Sequence, residues 1–233
     1  FQTGIWDTIY STVAATLVAC VLGIILGIIL VAGEEDGVRP LPGPVMKVLN
    51  FAINILRSVP FLILMIMVLP LSVRLVGTTI GTVASIPPLI IASASFVARL
   101  VETSLREVDK GVIEAAQSMG ASTLQIVWKV YLPEAKPSLI LGGAISLVTI
   151  LAYTAIAGTV GAGGLGDIAV RYGHQRFITS VMWVTVVFLI ILVQVVQLIF
   201  NWLSRRIDKR LDQPSGAKKS GPLDLLPRFA HTK

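Results

Sequence analysis

The 233-residue sequence holds one cysteine, two histidines and few charges, with 14% Asp, Glu, Lys and Arg. The single Cys20 excludes an intrachain disulfide. His174 and His231 both lie outside the long apolar runs, which excludes an HExxH zinc site or a histidine-assisted nucleophile within them. No GxxxxGK[ST] stretch occurs, so the chain has no P-loop, and any ATP driving it would be hydrolysed on another polypeptide. No Asp or Glu lies deep inside an apolar run, where gradient-coupled transporters usually keep carboxylates. What is abundant is apolar: 55% of residues, with a mean hydropathy of +0.84. Soluble domains have roughly 45–50% apolar and ~25% charged residues. The composition therefore predicts a small, single-domain, all-α polytopic membrane protein and excludes an ordinary soluble enzyme.

Five apolar runs are expected to span the bilayer, at about residues 9–32, 46–71, 83–100, 138–160 and 177–203. The third is short and carries Pro87 and Pro88, so a re-entrant or interfacial piece is its alternative. No basic segment precedes the first run, and it exceeds a signal-peptide core in length, which predicts a retained span. Alternating loops place Arg39, Lys47, Arg99, Arg106, Lys110, Lys129, Lys136 and the tail 205–233 on one side. Only Arg74, Arg171 and Arg176 fall on the other. Because basic loops stay in the cytoplasm, the N-terminus is expected outside and the C-terminus inside. The surplus of +6 charges is then chiefly a topology signal rather than a nucleic-acid footprint. Residues 1–204 read as the membrane domain, 101–137 as a cytoplasmic loop and 205–233 as a basic, membrane-proximal tail.

Several patterns invite other readings. Gly161, Gly163, Gly164 and Gly166 lie in a stretch that matches GxGxxG. A dinucleotide site needs a strand before it and a soluble βαβ unit around it, so a glycine-rich bend at the outer surface is expected instead. The basic loop resembles a helix–turn–helix, but its second helix offers Leu124, Val127, Val130 and Tyr131, not polar groups for base edges, so no nucleic-acid partner is expected. Ala19, Gly23 and Gly27 recur every fourth residue, a spacing for close helix packing within the chain or between two copies. Arg57, with Asn54 and Asn50 one and two turns earlier, makes a polar stripe that either faces an aqueous path or snorkels. Thr149, Tyr153 and Ile156 share a helix face and either line a path or pack between helices.

The 101–137 loop is too ordered to be a linker. Asp109 is placed to cap a first short helix containing Glu114, Ala115 and Ala116. Gly120 is placed to stop it in a left-handed turn. Ser122 and Gln125 have capping-box spacing for a second helix, expected to end at Leu132 before Pro133. The small residues Ala115, Ala116, Gly120 and Ala121 would let another protein approach the backbone. Spacing alone leaves open a docking knob or a passive hairpin on the membrane surface.

Glu114-Ala115-Ala116, Gly120, Val130, Tyr131 and Leu132-Pro133 resemble the EAA motif, which marks the membrane-spanning subunits of ATP-binding-cassette (ABC) importers. Val130 stands where Ile is usual. Asn54-Ile55-Leu56-Arg57-Ser58-Val59-Pro60-Phe61, Phe96–Glu102 and Gly158–Gly166 resemble the permeases of methionine importers, and the resemblance covers about residues 5–205. It implies a type I ABC importer transmembrane domain of five helices in a bacterial cytoplasmic (inner) membrane, acting as a transport subunit, not an enzyme. It also implies a homodimer, two partner ATPases holding ATP and magnesium, and an extracytoplasmic binding protein delivering methionine. No cofactor or metal is implied on this chain itself. Coupling would fall to Glu114, Ala115, Ala116, Gly120, Ala121, Leu132 and Pro133. A path or gate would involve Arg57, Ser58, Thr149, Tyr153 and Ile156. A permease for another amino acid or small solute, and an ion-gradient-driven transporter, are the alternatives.

Overall fold

The structure is a computed structural model that describes residues 1–207, with side chains described to residue 202. The tail expected at 205–233 lies outside the described residues, apart from the backbone of its first three. Every regular element among the described residues is helical. The first run forms α1 (Gln2–Ala32), about 46 Å long at 1.5 Å per residue, starting seven residues before the apolar run itself. It stops at Gly33, and a tight connection leads to α2 (Gly43–Ser58), with Pro44 in its first turn where a missing N–H costs nothing.

The second run is not the single helix that its unbroken apolarity predicts. Val59 is extended (φ −80°, ψ 126°), and α3 (Phe61–Val76) leaves α2 at 112°. Pro60 is the cause, because a residue before proline is driven out of the helical region. Pro70, by contrast, sits inside α3 without ending it. The third run is a full helix, α4 (Thr82–Arg106), with Pro87 and Pro88 in its second turn. Its 25 residues are long and apolar enough to cross a membrane.

The following loop folds into α5 (Lys110–Ser118), α6 (Thr123–Ile126) and α7 (Leu132–Glu134), with a π-helical turn (Val127–Tyr131) between the last two. Pro133 does not break the second helix where the sequence predicts. The wider turn before it leads into α7, with Pro133 in that helix's first turn. Then come α8 (Lys136–Ala157), a 3₁₀ turn (Gly158–Val160), α9 (Gly164–Ile168), a second π-helical turn (Ala169–His174) and α10 (Thr179–Ile207).

The core forms where α1, α3 and α8 pack around α4. Phe61, Leu64, Met65, Leu89, Ala92 and Ile150 fill its centre. The α1–α4 pairing is the most extensive, and Gly23 and Gly27 explain it. A Cβ on Gly27 would lie 2.6 Å from Val101, and one on Gly23 would meet Val97. The four-residue spacing thus serves packing within the chain. In contrast, α10 buries little, and Trp183, Ile190, Ile191 and Leu198 project outward. Outward apolar side chains are the normal condition of a lipid-facing helix.

Candidate functional site: a helical hairpin, a broken helix and the cavity at the break

The hairpin of α5, α6 and the turns that follow is fixed by local chemistry. Asp109 Oδ1 accepts from the Gly111 N–H at 2.6 Å. Gly120 has φ +79°, and the Ala121 N–H returns to the Ala116 carbonyl at 3.1 Å. The Ser122–Gln125 capping box is complete: Gln125 Oε1 accepts from the Ser122 N–H at 2.8 Å, and Ser122 Oγ accepts from the Gln125 N–H at 3.4 Å. Leu105 and Val108 of the α4 end pack with Ala116, Ile126, Val127 and Tyr131, so the hairpin is rooted on α4. Burial pushes the Tyr131 phenol above its ordinary pKa, and the Glu34 carboxylate adds to this, so the hydroxyl stays neutral at physiological pH.

The coupling residues read from the sequence do not all face one way. Glu114, Ala115, Gly120 and Pro133 are exposed, and Ala121 and Leu132 are half-buried. Ala116 is buried in the hairpin's own packing, so its smallness serves the fold and not an approaching partner. Among the described residues, its chain neighbours aside, no atom lies within 4 Å of where a Cβ on Gly120 would sit. Met119, Leu124 and Trp128 form an exposed apolar tip, at 84%, 71% and 69% exposure. The sequence reading did not pick this tip out. Leu124 and Trp128 are four residues apart, and that spacing was the available signal.

The break in the second run organises a second region. Arg57 lies exposed in the last turn of α2 and has no ion-pair partner among the described residues. It lines a cavity of about 140 Å³ together with Leu56, Val59, Phe61, Leu64, Ala92, Phe96 and Tyr153. Phe61 and Tyr153 stack there, with centroids 4.4 Å apart and planes 5° from parallel. Of the five path residues, the structure therefore brings together Arg57 and Tyr153. Ser58 donates to the Asn54 carbonyl at 2.8 Å and Thr149 to the Ile145 carbonyl at 2.8 Å, while Ile156 is exposed on α8. None of these three lines the cavity.

The polar stripe of α2 also departs from the sequence reading. Asn50 and Asn54 do not serve Arg57. Both accept from Arg99 Nη2, each at 2.9 Å. Arg99 Nη1 donates to Glu102 at 2.6 Å, as the three-residue spacing predicts. Glu102 is 6% exposed and also accepts from Arg106 Nη2 at 2.8 Å. Arg106 further pairs with Glu34 in the α1–α2 connection.

In the glycine-rich stretch, Gly161, Gly163 and Gly164 have φ of +85°, +76° and +80°. Gly166 lies against the Ala155 carbonyl with no room for a Cβ. The Leu165 N–H donates to Thr8 Oγ1 at 2.8 Å. The backbone there is a bend that ties α9 to α1. Among the described residues, no strand precedes it and no His/Cys/Asp/Glu cluster is suited to a metal.

A multi-pass helical membrane protein with a structured hairpin between two spans is the class these features define. Residues 19–213 match the family described as binding-protein-dependent transport system inner membrane component, and the chain belongs to that family. It is similar to the probable D-methionine transport system permease protein MetI of Vibrio cholerae, with 54% identity over 72% of this chain and 74% of the relative. Similarity to the methionine import system permease protein MetP of Bacillus subtilis is 49% over 71% and 75%. A solved structure of the MetNI methionine ABC transporter in inward facing conformations superposes with a TM-score of 0.86 at 37% identity. That match covers 88% of this chain and 95% of the other. The chain is thus an ABC-importer permease of the inner membrane.

Proposed function

We propose that this permease forms the translocation path for methionine across the bacterial cytoplasmic membrane. It works as a homodimer with two ATPase subunits that hold ATP and magnesium and with an extracytoplasmic binding protein. Its N-terminus lies outside and its C-terminus inside. Residues 1–204 form the permease domain and 205–233 a basic cytoplasmic tail. The observation that carries the reading is the hairpin: two short helices, capped at both starts, rooted on α4 and ending in an exposed tip. A preformed knob loses little entropy on docking, and this one inserts into the ATPase through Glu114, Ala115, Gly120, Ala121, Leu132 and Pro133. Ala116 holds the knob's shape. Met119, Leu124 and Trp128 add the apolar contact.

The path reading rests on the cavity at the break. Arg57 offers a guanidinium with no ion-pair partner among the described residues, suited to a carboxylate. Phe61, Phe96 and Tyr153 offer aromatic walls, and thioether sulfur makes favourable contacts with such rings. A transiting amino acid with an apolar, sulfur-containing side chain fits that combination. Ser58, Thr149 and Ile156 act nearer the edge of the path.

The test is uptake of labelled methionine into vesicles holding the permease, its ATPase and the binding protein. Uptake is expected to require ATP and to be competed by excess methionine. Competition by other amino acids with none by methionine would reassign the substrate. Uptake driven by an ion gradient without ATP would overturn the importer reading.

A further inference from the structure

Most of the surface of α2 is exposed. Ile53 is its only buried residue. Ile53, with Met46 and Leu49 beside it, packs against Leu30 and Ala98, and the polar fastening to α4 is Asn50 and Asn54, one turn apart, sharing the Nη2 group of Arg99. The other arm of Arg99 is held by Glu102, which is itself held by Arg106. The hairpin sits at one end of this arrangement, because Leu105 and Val108 carry it on α4. The break at Val59–Pro60 sits at the other, because α2 leads directly into it.

The two arms of Arg99 differ in strength. The bond to Glu102 joins two charges across a short distance, and such bonds are about twice as strong as neutral ones. The bonds to Asn50 and Asn54 share the charged donor but end on neutral amide acceptors, so no second charge attracts them and water can take the acceptors' place. If α2 moves off, Arg99 stays with Glu102, no charge is stranded, and two asparagines are hydrated. One side of the contact is permanent and the other releasable.

We propose that Arg99 is a positioning residue for transport: a latch that passes displacement of the hairpin along α4 to α2, and so to the break. The proposal rests on the reading of the chain as an ATP-driven permease. The ligand cavity and the hairpin tip are the two places it connects, and neither contains Arg99, Asn50 or Asn54.

The test uses the reconstituted permease–ATPase complex with binding protein. Asn50→Ala with Asn54→Ala removes the releasable side and leaves the Arg99–Glu102 pair intact. Asn54→Asp turns that side into an ion pair. The double alanine variant is expected to take up about threefold or more fewer methionine molecules per ATP hydrolysed, with hydrogen exchange in residues 43–58 accelerated. Asn54→Asp is expected to slow that exchange and to weaken its response to ATP. Uptake and ATPase rates falling in parallel, with their ratio unchanged, would make Arg99 merely structural and overturn the proposal. So would unchanged exchange in both variants. Absence of ATP-dependent uptake by the unaltered complex would instead strike the functional reading, while the exchange measurement would still decide the latch.

Discussion

Gly120 carries two requirements at one position. Its φ of +79° costs an ordinary L-residue about 1–2 kcal/mol, and the space around its Cβ position is open. Backbone strain and partner clash can therefore be separated by choice of side chain. Gly120→Val is expected to lower the melting temperature of the purified permease and to abolish stimulation of the ATPase. Gly120→Asn tolerates the left-handed turn, so it is expected to melt like the unaltered chain and still to lose stimulation. Full stimulation by Gly120→Asn would show that no partner approaches there. Gly120 was legible because a left-handed stop after a short helix has a sequence signature. Ala116 shares Gly120's small size but is buried in the hairpin, and small size does not reveal which face of a helix a residue takes. At the cavity, Arg57→Gln is expected to reduce uptake about tenfold, the scale of one charge-assisted hydrogen bond at ~1.5 kcal/mol, while Arg57→Lys retains part of it. Uptake kinetics across methionine concentrations would separate binding from turnover.

At the scale of the element, the second run and the hairpin teach opposite lessons. Hydropathy from residue 46 to 71 is continuous, so apolar length alone predicts one span. The break is set by a single backbone restriction at Val59–Pro60, and three other prolines do not have that effect. Pro70, Pro87 and Pro88 all sit within helices. Sequence marks where a proline can break a helix, and packing around it decides whether it does. The hairpin was legible in more detail, because Asp109, Gly120, Ser122 and Gln125 act on neighbours at most five residues away. Ser122→Ala is expected to destabilise the second helix by about 1 kcal/mol, read as faster amide exchange over 123–131 with the transmembrane helices unaffected.

Across the whole molecule, α1 and α4 form the central pair, and their closeness depends on glycines. Gly27→Val would drive a side chain into Val101 and the Ala98 carbonyl. Overpacking of this kind costs about 1–3 kcal/mol, and thermal unfolding in detergent would measure it. The repeating small residues were legible in the sequence, but their partner was not, since a four-residue period specifies a close approach without naming what approaches. For the same reason the clamp of Arg99 on Asn50 and Asn54 was visible only as a local pair with Glu102. Its acceptors lie 45 and 49 residues away and belong to an element whose direction the bend redefines.

The bond from Leu165 to Thr8 bears on how the protein enters its membrane. The two residues are 157 positions apart, so ribosomal synthesis delivers α1 long before its partner exists. Thr12 likewise waits for Thr154, its neighbour at 3.4 Å. In the interval Thr8 and Ser11 are not bare in the lipid, for each hydroxyl donates to a carbonyl one turn back, at Gly4 and Asp7. Thr8 can therefore accept a late-arriving segment without breaking the bond it has made. Thr8 keeps its donated bond and accepts a second through a free lone pair. The earlier-made helix is in this way a docking rail for a segment made much later, through Thr8 and Thr12.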